Sequence, residues 1–352
     1  MAGVNIVRKI YTKGLLAVLD FGAESVVVLI AEKKECGAFQ IVGAGDSAAH
    51  GTKGGEVSHP GDATESIVEA LKKAERSSGT KIKKLYYNID DPKMQSVVTR
   101  GSIFLSGEGE IRNSDVEEAR KIAERLASHF EKNILYSKEI QFIIDDRDSV
   151  INPIGVFGKK LEAFVHVLQA RSTLCEAWQK LMMRSRVSQC TAIPSAWSSA
   201  YGVLPKEDRI NKKLIIDLGK DFFNALTFVN DRITGYKVLL NQETEASMNG
   251  AGFSEWVKES LLLNPDIQEI LVTGDLAQEP VVMKDLEGAG TIPLRIAAPQ
   301  AIEKLRYPRY ASVVGLLDVA DETESRMPMM HADKNIFLNL KEKAVLFISE
   351  YF

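Results

Sequence analysis

Two stretches of the chain share one pattern of apolar and polar positions. At Leu15–Glu32 an apolar run ends in Asp20, a glycine follows at Gly22, and a second apolar run leaves directly after it. Lys212–Leu240 repeats this layout: an apolar run ends in Asp217, a glycine follows at Gly219, and the apolar run ALTFV begins at Ala225. Continuous apolar runs of this length, punctuated by glycine, predict two buried β-strands joined by a tight turn. The repetition predicts two related half-domains that face each other across a cleft.

The pattern between and after these stretches predicts a mixed α/β chain. Apolar spacing of three and four residues predicts helices at about 61–77, 171–186, 194–203, 254–263 and 310–319, and EILVT at Glu269–Thr273 predicts a buried strand. Residues 41–55 hold five glycines but match neither GxxxxGK[ST] nor a GxGxxG that opens a helix, so we interpret them as a mobile connection. Residues 84–169 read as strand, strand, helix and strands, which predicts a small inserted subdomain.

The last residues form a separate pattern. Residues 321–334 are polar, contain a proline and lack periodicity, which is typical of a linker. In residues 335–352 a helical projection places one broad apolar face opposite a polar one. The predicted membrane-binding residues are Ile336, Phe337, Leu340, Ala344, Phe347, Ile348, Tyr351 and Phe352. The face predicts an interfacial membrane anchor, and the alternative is a helix that docks on its own body or on a partner.

Composition narrows the class of protein. The chain has 352 residues, 45% of them hydrophobic and 26% charged, which is long enough for two or more globular domains. The net charge of -4 gives no basic field, so we expect no nucleic-acid partner. Three cysteines without CxxC spacing indicate free thiols in a reducing compartment, and the histidines show no zinc-site spacing. No apolar run reaches the length of a membrane span, so we expect a cytoplasmic, non-spanning protein.

Several of these stretches together resemble the bacterial cell-division protein FtsA family, within the actin/Hsp70-like ATPase superfamily. The likeness runs through LDFG at 19–22, KGGEV at 53–57, IIDLG at 215–219, LVTGD at 271–275 and YPRYASVVGLLDVAD at 307–321. NPIGVFGKKLEAFVHV at 152–167 is the most specific, because it lies in the insertion that this family carries where actin has a different subdomain. The chain is identified as a divergent, shortened member.

The resemblance implies an actin-like, ribonuclease H-like fold of two lobes with an insertion subdomain of the SHS2 type and a reduced second lobe. The expected division is first lobe 1–83, insertion 84–170, return helices 171–205, second lobe 206–308, a helix at 309–320, a linker at 321–334 and the membrane-targeting helix at 335–352. It also implies a role on the cytoplasmic face of the inner membrane. There the family links polymers of the tubulin-like protein FtsZ to lipid and assembles with itself, and we expect the insertion to mediate self-assembly or partner contacts.

The phosphate-binding loops depart from the family pattern. The resemblance places remnant nucleotide-binding positions at Asp20, Gly22, Asp217, Gly219, Thr273 and Gly274, with Asp20 and Asp217 as Mg²⁺ ligands only if Mg–ATP binds. Where the family reads approximately D-I-G-G-G-T-T-D, this chain reads DLGKDFFN at 217–224. Phosphate loops need small residues with approachable backbone N–H groups, and phenylalanine adds no donor. We therefore expect a degenerate site without a cofactor or a catalytic residue, with Phe222 and Phe223 filling the phosphate space.

Three functions stay open at this point. The first is a membrane-tethered, actin-like division scaffold with a pseudo-ATPase site. The second is an ATP-binding, filament-forming FtsA proper, and the third is an inner-membrane assembly platform like PilM that binds a partner peptide. Since only Phe253–Gln268 separates the glycines at 250–252 from the next strand, most of the upper subdomain of the second lobe is expected to be missing.

Overall fold

A computed structural model describes residues 14–147, 149–240, 251–287 and 292–326 of the chain. The first lobe is built on a five-stranded sheet in the order β11-β6-β1-β2-β3. Its strands are β1 (Leu15–Phe21), β2 (Ser25–Lys33), β3 (Phe39–Ala48), β6 (Lys84–Ile89) and β11 (Gln189–Pro194), and β4 (Thr52–Lys53) with β5 (Glu56–Val57) forms a small separate ribbon. Strands β1 and β2 are antiparallel, whereas β6 runs parallel to β1 and to β11.

Four helices cover the first lobe. They are α1 (Pro60–Ser78), α3 (Ser172–Arg184), α4 (Ser195–Val203) and α7 (Ala311–Arg326). Helices α4 and α7 touch at two glycines: a Cβ on Gly202 would lie 2.0 Å from the carbonyl oxygen of Ala311, and one on Gly315 would lie 1.7 Å from that of Ser198. Because no side chain lies between the two backbones at these positions, α7 packs closely against α4 and the first lobe.

The insertion is a four-stranded antiparallel sheet in the order β7-β10-β8-β9 with one helix on one face. Its elements are β7 (Gln95–Glu110), α2 (Asn113–Ala127), β8 (Lys132–Ile144), β9 (Ser149–Val150) and β10 (Phe157–Arg171). Alternate residues of β10 point to opposite sides: Val165 and Val167 pack under α2, whereas Leu168 and Ala170 join the core of the first lobe. The insertion therefore has its own core and also rests on the lobe.

The second lobe is a five-stranded sheet in the order β14-β13-β12-β15-β16. Its elements are β12 (Lys213–Leu218), β13 (Phe222–Val229), β14 (Arg232–Leu240), α5 (Ala251–Leu263), β15 (Glu269–Thr273), α6 (Pro280–Glu287) and β16 (Leu294–Ile296). Leu214, Ile216 and Val272 pack in its own core, whereas Ile215, Leu226 and Phe228 join that of the first lobe. Within the described ranges α5 alone stands between residue 251 and β15, as the shortened spacing predicts.

Four sequence expectations are wrong. Residues 41–55 are not a mobile connection, because β3 occupies Phe39–Ala48 and the β4–β5 ribbon follows. The insertion does not start at Lys84, since β6 pairs with β1 and β11 in the first lobe. Residues 212–240 hold three strands rather than two. Helix α7 runs on to Arg326, so the linker does not begin at Asp321. The strand β11, between the two return helices, was not predicted.

Candidate functional site

Each of the two Asp-x-Gly segments forms a two-residue turn at the edge of one cleft. The backbone N–H of Gly22 donates to the carbonyl oxygen of Ser25 at 2.9 Å, and that of Gly219 donates to Phe222 at 2.9 Å. The predicted strand–turn–strand units are confirmed in both lobes. Because each glycine N–H already closes its own hairpin, neither is available to bind an anion in this conformation.

The tips of the two turns are joined across the mouth of the cleft. Lys220 of the second turn forms an ion pair with Glu24 of the first. The side chain of Lys220 is 38% exposed and that of Glu24 is 71% exposed, so water screens the pair and its contribution to stability is small. Its position matters more, because the cation and the anion occupy the two tips between which a ligand would enter.

Asp20 and Asp217 line the floor of the cleft, one from each lobe. Asn88 donates to Asp20 through its side-chain amide, and its Oδ1 accepts from the backbone N–H of Phe21 at 2.7 Å. Ser199 donates to Asp217 Oδ2 at 2.5 Å. Burial and the repulsion from Asp217 raise the pKa of Asp20 well above its ordinary value. Burial raises the pKa of Asp217 to about 7, although the Ser199 hydrogen bond opposes the shift.

A third carboxyl group, Asp90, bridges the lobes. It follows β6 directly and accepts from Ser195 Oγ at 2.7 Å and from Asn224 Nδ2, on the second lobe, at 3.2 Å. Tyr236 in turn donates to Asn224 Oδ1 at 2.7 Å. Burial raises the pKa of Asp90 to about 6, although the hydrogen bonds from Ser195 and Asn224 lower it. Sequence reasoning missed Asp90 and Asn88, because their place depends on the pairing of β6 with β1.

The two phenylalanines of the second loop point in opposite directions. Phe222 lines the cleft and lies against Gly55 of the first lobe, whereas Phe223 is packed in the second lobe's own core. The expectation that both rings fill the cleft is therefore wrong for Phe223, because successive residues of a strand face opposite sides. With Phe222 in place the cleft has a volume of about 100 Å³. Small-molecule sites usually measure about 300–1,000 Å³.

The remaining predicted positions also lie at the cleft. Asp221 lines it and accepts a hydrogen bond from the backbone N–H of Gly54. Gly274 has φ of +97°, and a Cβ there would lie 2.4 Å from Asp217 Oδ1. Thr273 is buried just outside and donates to the carbonyl oxygen of Pro308 at 3.0 Å. The structure thus brings together Asp20, Gly22, Asp217, Gly219 and Gly274, and it gives the hydroxyl of Thr273 a structural partner.

The predicted metal-binding and membrane-binding roles find little support among the described residues. Over the described ranges no group of three or more His, Cys, Asp or Glu side chains is arranged to hold a metal ion. The predicted membrane-binding residues, Ile336 to Phe352, lie outside the described residues. Among the helices that the structure describes, none combines the length and apolar character needed to cross a bilayer.

Comparison with known proteins agrees with this architecture. Residues 92–169 match the family model described as the SHS2 domain inserted in FtsA. The cell division protein FtsA of Neisseria meningitidis is 22% identical over 89% of this chain and 92% of its own length. FtsA of Borreliella burgdorferi is 26% identical over 62% of this chain, and the match spans about half of that relative, 53%. The PilM–PilN type IV pilus biogenesis complex superposes with a TM-score of 0.61 at 13% identity, over 86% of this chain and 97% of the compared one.

Two lobes that meet at paired Asp-x-Gly turns, with an SHS2 insertion, define an actin-like protein. Within that class the chain is similar to the bacterial cell division protein FtsA, at 22% identity over 89% of its length for the Neisseria meningitidis relative. The SHS2 match begins at residue 92, which agrees with the structural boundary after β6.

Proposed function

We propose that the chain is a membrane-tethered, actin-like scaffold of bacterial cell division whose cleft no longer works as a nucleotide site. The observation that carries the proposal is the pair of closed turns joined by Glu24 and Lys220. In this superfamily's chemistry the same two turns would have to offer backbone N–H groups to phosphate oxygens. Here Gly22 and Gly219 use theirs within their own hairpins.

The charges of the cleft support the same proposal. Asp20, Asp90, Asp217, Asp221 and Asp275 line it, against the two basic side chains of Lys220 and Arg309. Lys220 is engaged with Glu24. Polyphosphate binding needs cations, helix N-termini or a bound metal ion to offset its own negative charge. A triphosphate therefore does not fit these residues, and Asp20 with Asp217 has no role in Mg–nucleotide binding in this proposal.

Tethering is assigned to residues 335–352, on the strength of their amphipathic sequence. The polymer that the scaffold would link to the inner membrane is an FtsZ-like tubulin homologue, by analogy with the family. Lys334, Lys341 and Lys343 are offset by Glu342 and Glu350, so binding would come mainly from buried apolar area.

Self-assembly or partner contact is assigned to the insertion. Its sheet exposes large apolar side chains near the β9–β10 connection and on β7: Ile151, Ile154, Val156, Phe157 and Phe104. Phe157 is 64% exposed and Phe104 is 82% exposed. Clusters of exposed apolar residues mark contact surfaces in soluble proteins.

The nucleotide question is settled by calorimetry of the full chain with Mg–ATP. The proposal expects no binding up to millimolar nucleotide. Micromolar affinity that disappears in an Asp217→Ala variant would instead establish the ATP-binding filament former.

Membrane tethering is tested with a chain truncated after Ala332. This shortened chain should no longer co-sediment with anionic vesicles, and retention of vesicle binding would remove the tethering role.

A PilM-like platform is the second candidate. The observation that favours it is the superposition with PilM–PilN, which covers 97% of the compared chain. The two functions differ in the peptide that they bind. Capture of an FtsZ C-terminal peptide supports the division scaffold, and capture of a pilus-protein peptide in its place supports the platform.

A further inference from the structure

The sheet of the first lobe has a second end, opposite the cleft. Strands β6 and β11 run parallel, and each is followed directly by a residue of the cleft, Asp90 and Ser195. Their first residues therefore lie at the other end of the sheet. The connections that enter these two strands touch there, because Ser188 Oγ and the backbone N–H of Gln189 both donate to the carbonyl oxygen of Lys83 at 3.1 Å.

Three exposed cations gather at these connections. Lys83 directly precedes β6, and Arg184 and Arg186 lie between the last turn of α3 and β11. Among the described residues, none of these three side chains forms an ion pair or a hydrogen bond with another side chain. Met183, beside Arg184, is 63% exposed and adds an apolar side chain. We call Lys83, Met183, Arg184 and Arg186 the basic patch.

The cations of the basic patch exceed what the neighbouring helix ends require. Helices α1 and α3 both finish at this end of the lobe, and the carbonyl groups of a helix C-terminus favour a cation within the last turn. Arg76 and Arg184 stand in those last turns. Lys83 and Arg186 lie beyond the helices, so the helix ends do not account for them.

Two carboxylates flank the basic patch, and each already has a cation of its own. Glu75 pairs with Lys81 at 2.5 Å, and Glu324 pairs with Lys84 at 2.7 Å. These four charges cancel in pairs and leave the positive charge of the patch in place. An anionic surface attracts such cations over about one Debye length, roughly 8 Å at physiological salt.

The last helix of the described structure ends beside the basic patch. Glu324 lies in the last turn of α7, and its pairing with Lys84 puts that turn next to the start of β6. Eight residues, 327–334, separate Arg326 from the predicted membrane-binding segment and can span up to roughly 27 Å. A membrane that holds residues 335–352 therefore lies within that distance of Arg326.

We propose that the basic patch is a second membrane contact, at which Lys83, Arg184 and Arg186 meet the phosphate groups of anionic lipids. The contact orients the body, because it places the cleft on the side of the first lobe that faces away from the bilayer. Two weak contacts on one chain bind together more firmly than either does alone. The proposal rests on the tethering role proposed above for residues 335–352, but it assigns a different part of the chain.

The two contacts differ in the lipid that they recognise. Since the lysines at 334, 341 and 343 are offset by glutamates, residues 335–352 are expected to bind through apolar area, with little preference for charged lipid. A preference for anionic vesicles therefore reports the basic patch.

The test is co-sedimentation of the full chain with vesicles of phosphatidylcholine alone and with vesicles of phosphatidylcholine and phosphatidylglycerol in equal parts. We expect binding to the anionic vesicles to be about 100-fold tighter, since each Lys or Arg near an anionic surface contributes about fivefold and three act together. Added salt should weaken this preference by screening. In a Lys83→Gln/Arg184→Gln/Arg186→Gln chain the preference should be lost, with binding to phosphatidylcholine unchanged.

The matched control removes three exposed cations from the insertion. A Lys93→Gln/Lys121→Gln/Arg125→Gln chain loses the same charge and should keep the preference for anionic vesicles. Thermal unfolding of both triple variants checks that they are folded. A preference that survives in the patch variant, or that falls equally in the control, would overturn the proposal.

A chain truncated after Ala332 separates this proposal from the tethering role. Truncation should take binding to both kinds of vesicle below detection, since the patch alone is weak. A truncated chain that still binds anionic vesicles, and loses this binding when the patch is also changed, would remove the tethering role and keep the basic patch. A full chain that binds both kinds of vesicle equally would remove the basic patch and keep the tethering role.

Discussion

Phe222 of the second lobe lies against Gly55 of the first, so closely that a Cβ on Gly55 would come within 2.9 Å of the ring atom Cζ. Phe222 is 6% exposed and lines the same cleft as Asp275 and Arg309, and its ring brings no polar atom to that surface. The contact joins the lobes through apolar surface at a place where the family pattern has a threonine. Its energetic weight can be measured directly.

The Phe222→Ala change should lower the free energy of unfolding by about 3 kcal/mol, as expected for removing a buried aromatic ring. Phe157→Ala removes the same ring from a 64% exposed position and should change it by less than about 0.5 kcal/mol. Urea denaturation of both variants gives the comparison. Equal losses in the two variants would show that Phe222 does not pack across the cleft in solution.

The carboxyl groups of the cleft predict an unusual pH dependence. The folded-state pKa of Asp217 is raised by burial from 3.8 to about 7, and that of Asp90 to about 6. A raised pKa means that the folded state holds the proton more tightly than the unfolded chain does. The stability that these groups contribute is therefore complete below about pH 4 and is lost as the pH rises towards 7.

The Asp217→Asn change removes one of these ionisations. At one pKa unit per roughly 1.4 kcal/mol, the full shift corresponds to about 4 kcal/mol. Because water in the cleft screens the carboxyl group, we expect about half of this, so at pH 8 the variant should be more stable than the unchanged chain by about 2 kcal/mol. At pH 5 the difference should be much smaller. Denaturation curves between pH 5 and 8 test this, with the exposed Asp46→Asn as a control that should run parallel to the unchanged chain. A variant destabilised equally at both pH values would contradict a buried, proton-holding Asp217.

The insertion is held at its base by Asp91, which is fully buried and accepts from the backbone N–H of Arg171 at 2.8 Å and from its Nε at 3.0 Å. Asp91→Ala should cost about 3 kcal/mol, because it leaves these donors without an acceptor. Glu56 is the other partner of Arg171, and its side chain is 58% exposed. The Glu56→Ala change should therefore cost less than about 0.5 kcal/mol. Thermal or urea unfolding checks both. Similar losses would mean that Arg171 does not depend on Asp91.

The contact between α4 and α7 depends on glycine. The Gly315→Ala change places a methyl group 1.7 Å from the carbonyl oxygen of Ser198 unless the helices separate, and should destabilise the protein by about 2–3 kcal/mol. Gly61→Ala in α1 meets open space and should be neutral or about 0.5 kcal/mol stabilising. Calorimetric melting of the two variants separates crowding from helix propensity. A neutral Gly315→Ala would rule out the close approach.

The local pattern of apolar residues was enough to predict those elements whose structure depends on neighbouring residues in the sequence. The turns after Asp20 and Asp217 and the strand Glu269–Thr273 follow from short apolar runs that end at a glycine or a polar residue. The strand at Phe39–Ala48 was not predicted from the sequence, because its glycines are explained only by tertiary packing. Its glycines let α1 approach, and a Cβ on Gly45 would lie 2.2 Å from the carbonyl oxygen of Ala70. Glycines that suggested a loop are in fact packing positions.

The pattern of apolar and polar residues could not predict which strands pair with each other. Strand β6 reads as apolar whether it lies in the insertion or in the first lobe, because periodicity reports burial and not which strand lies alongside. The placement of Asn88 and Asp90 beside the cleft follows from that pairing alone. The direction of Phe223 depends on strand register, since β13 begins at Phe222 and not at Ala225.

Helix α7 also fixes a distance and a direction. Ser312, in its first turn, hydrogen-bonds to Asp20 at the cleft, and the whole helix from Ala311 to Arg326 is 16 residues long. At 1.5 Å per residue this is about 24 Å. The chain therefore leaves the described part of the structure at Arg326, about one helix length from the residue that contacts Asp20.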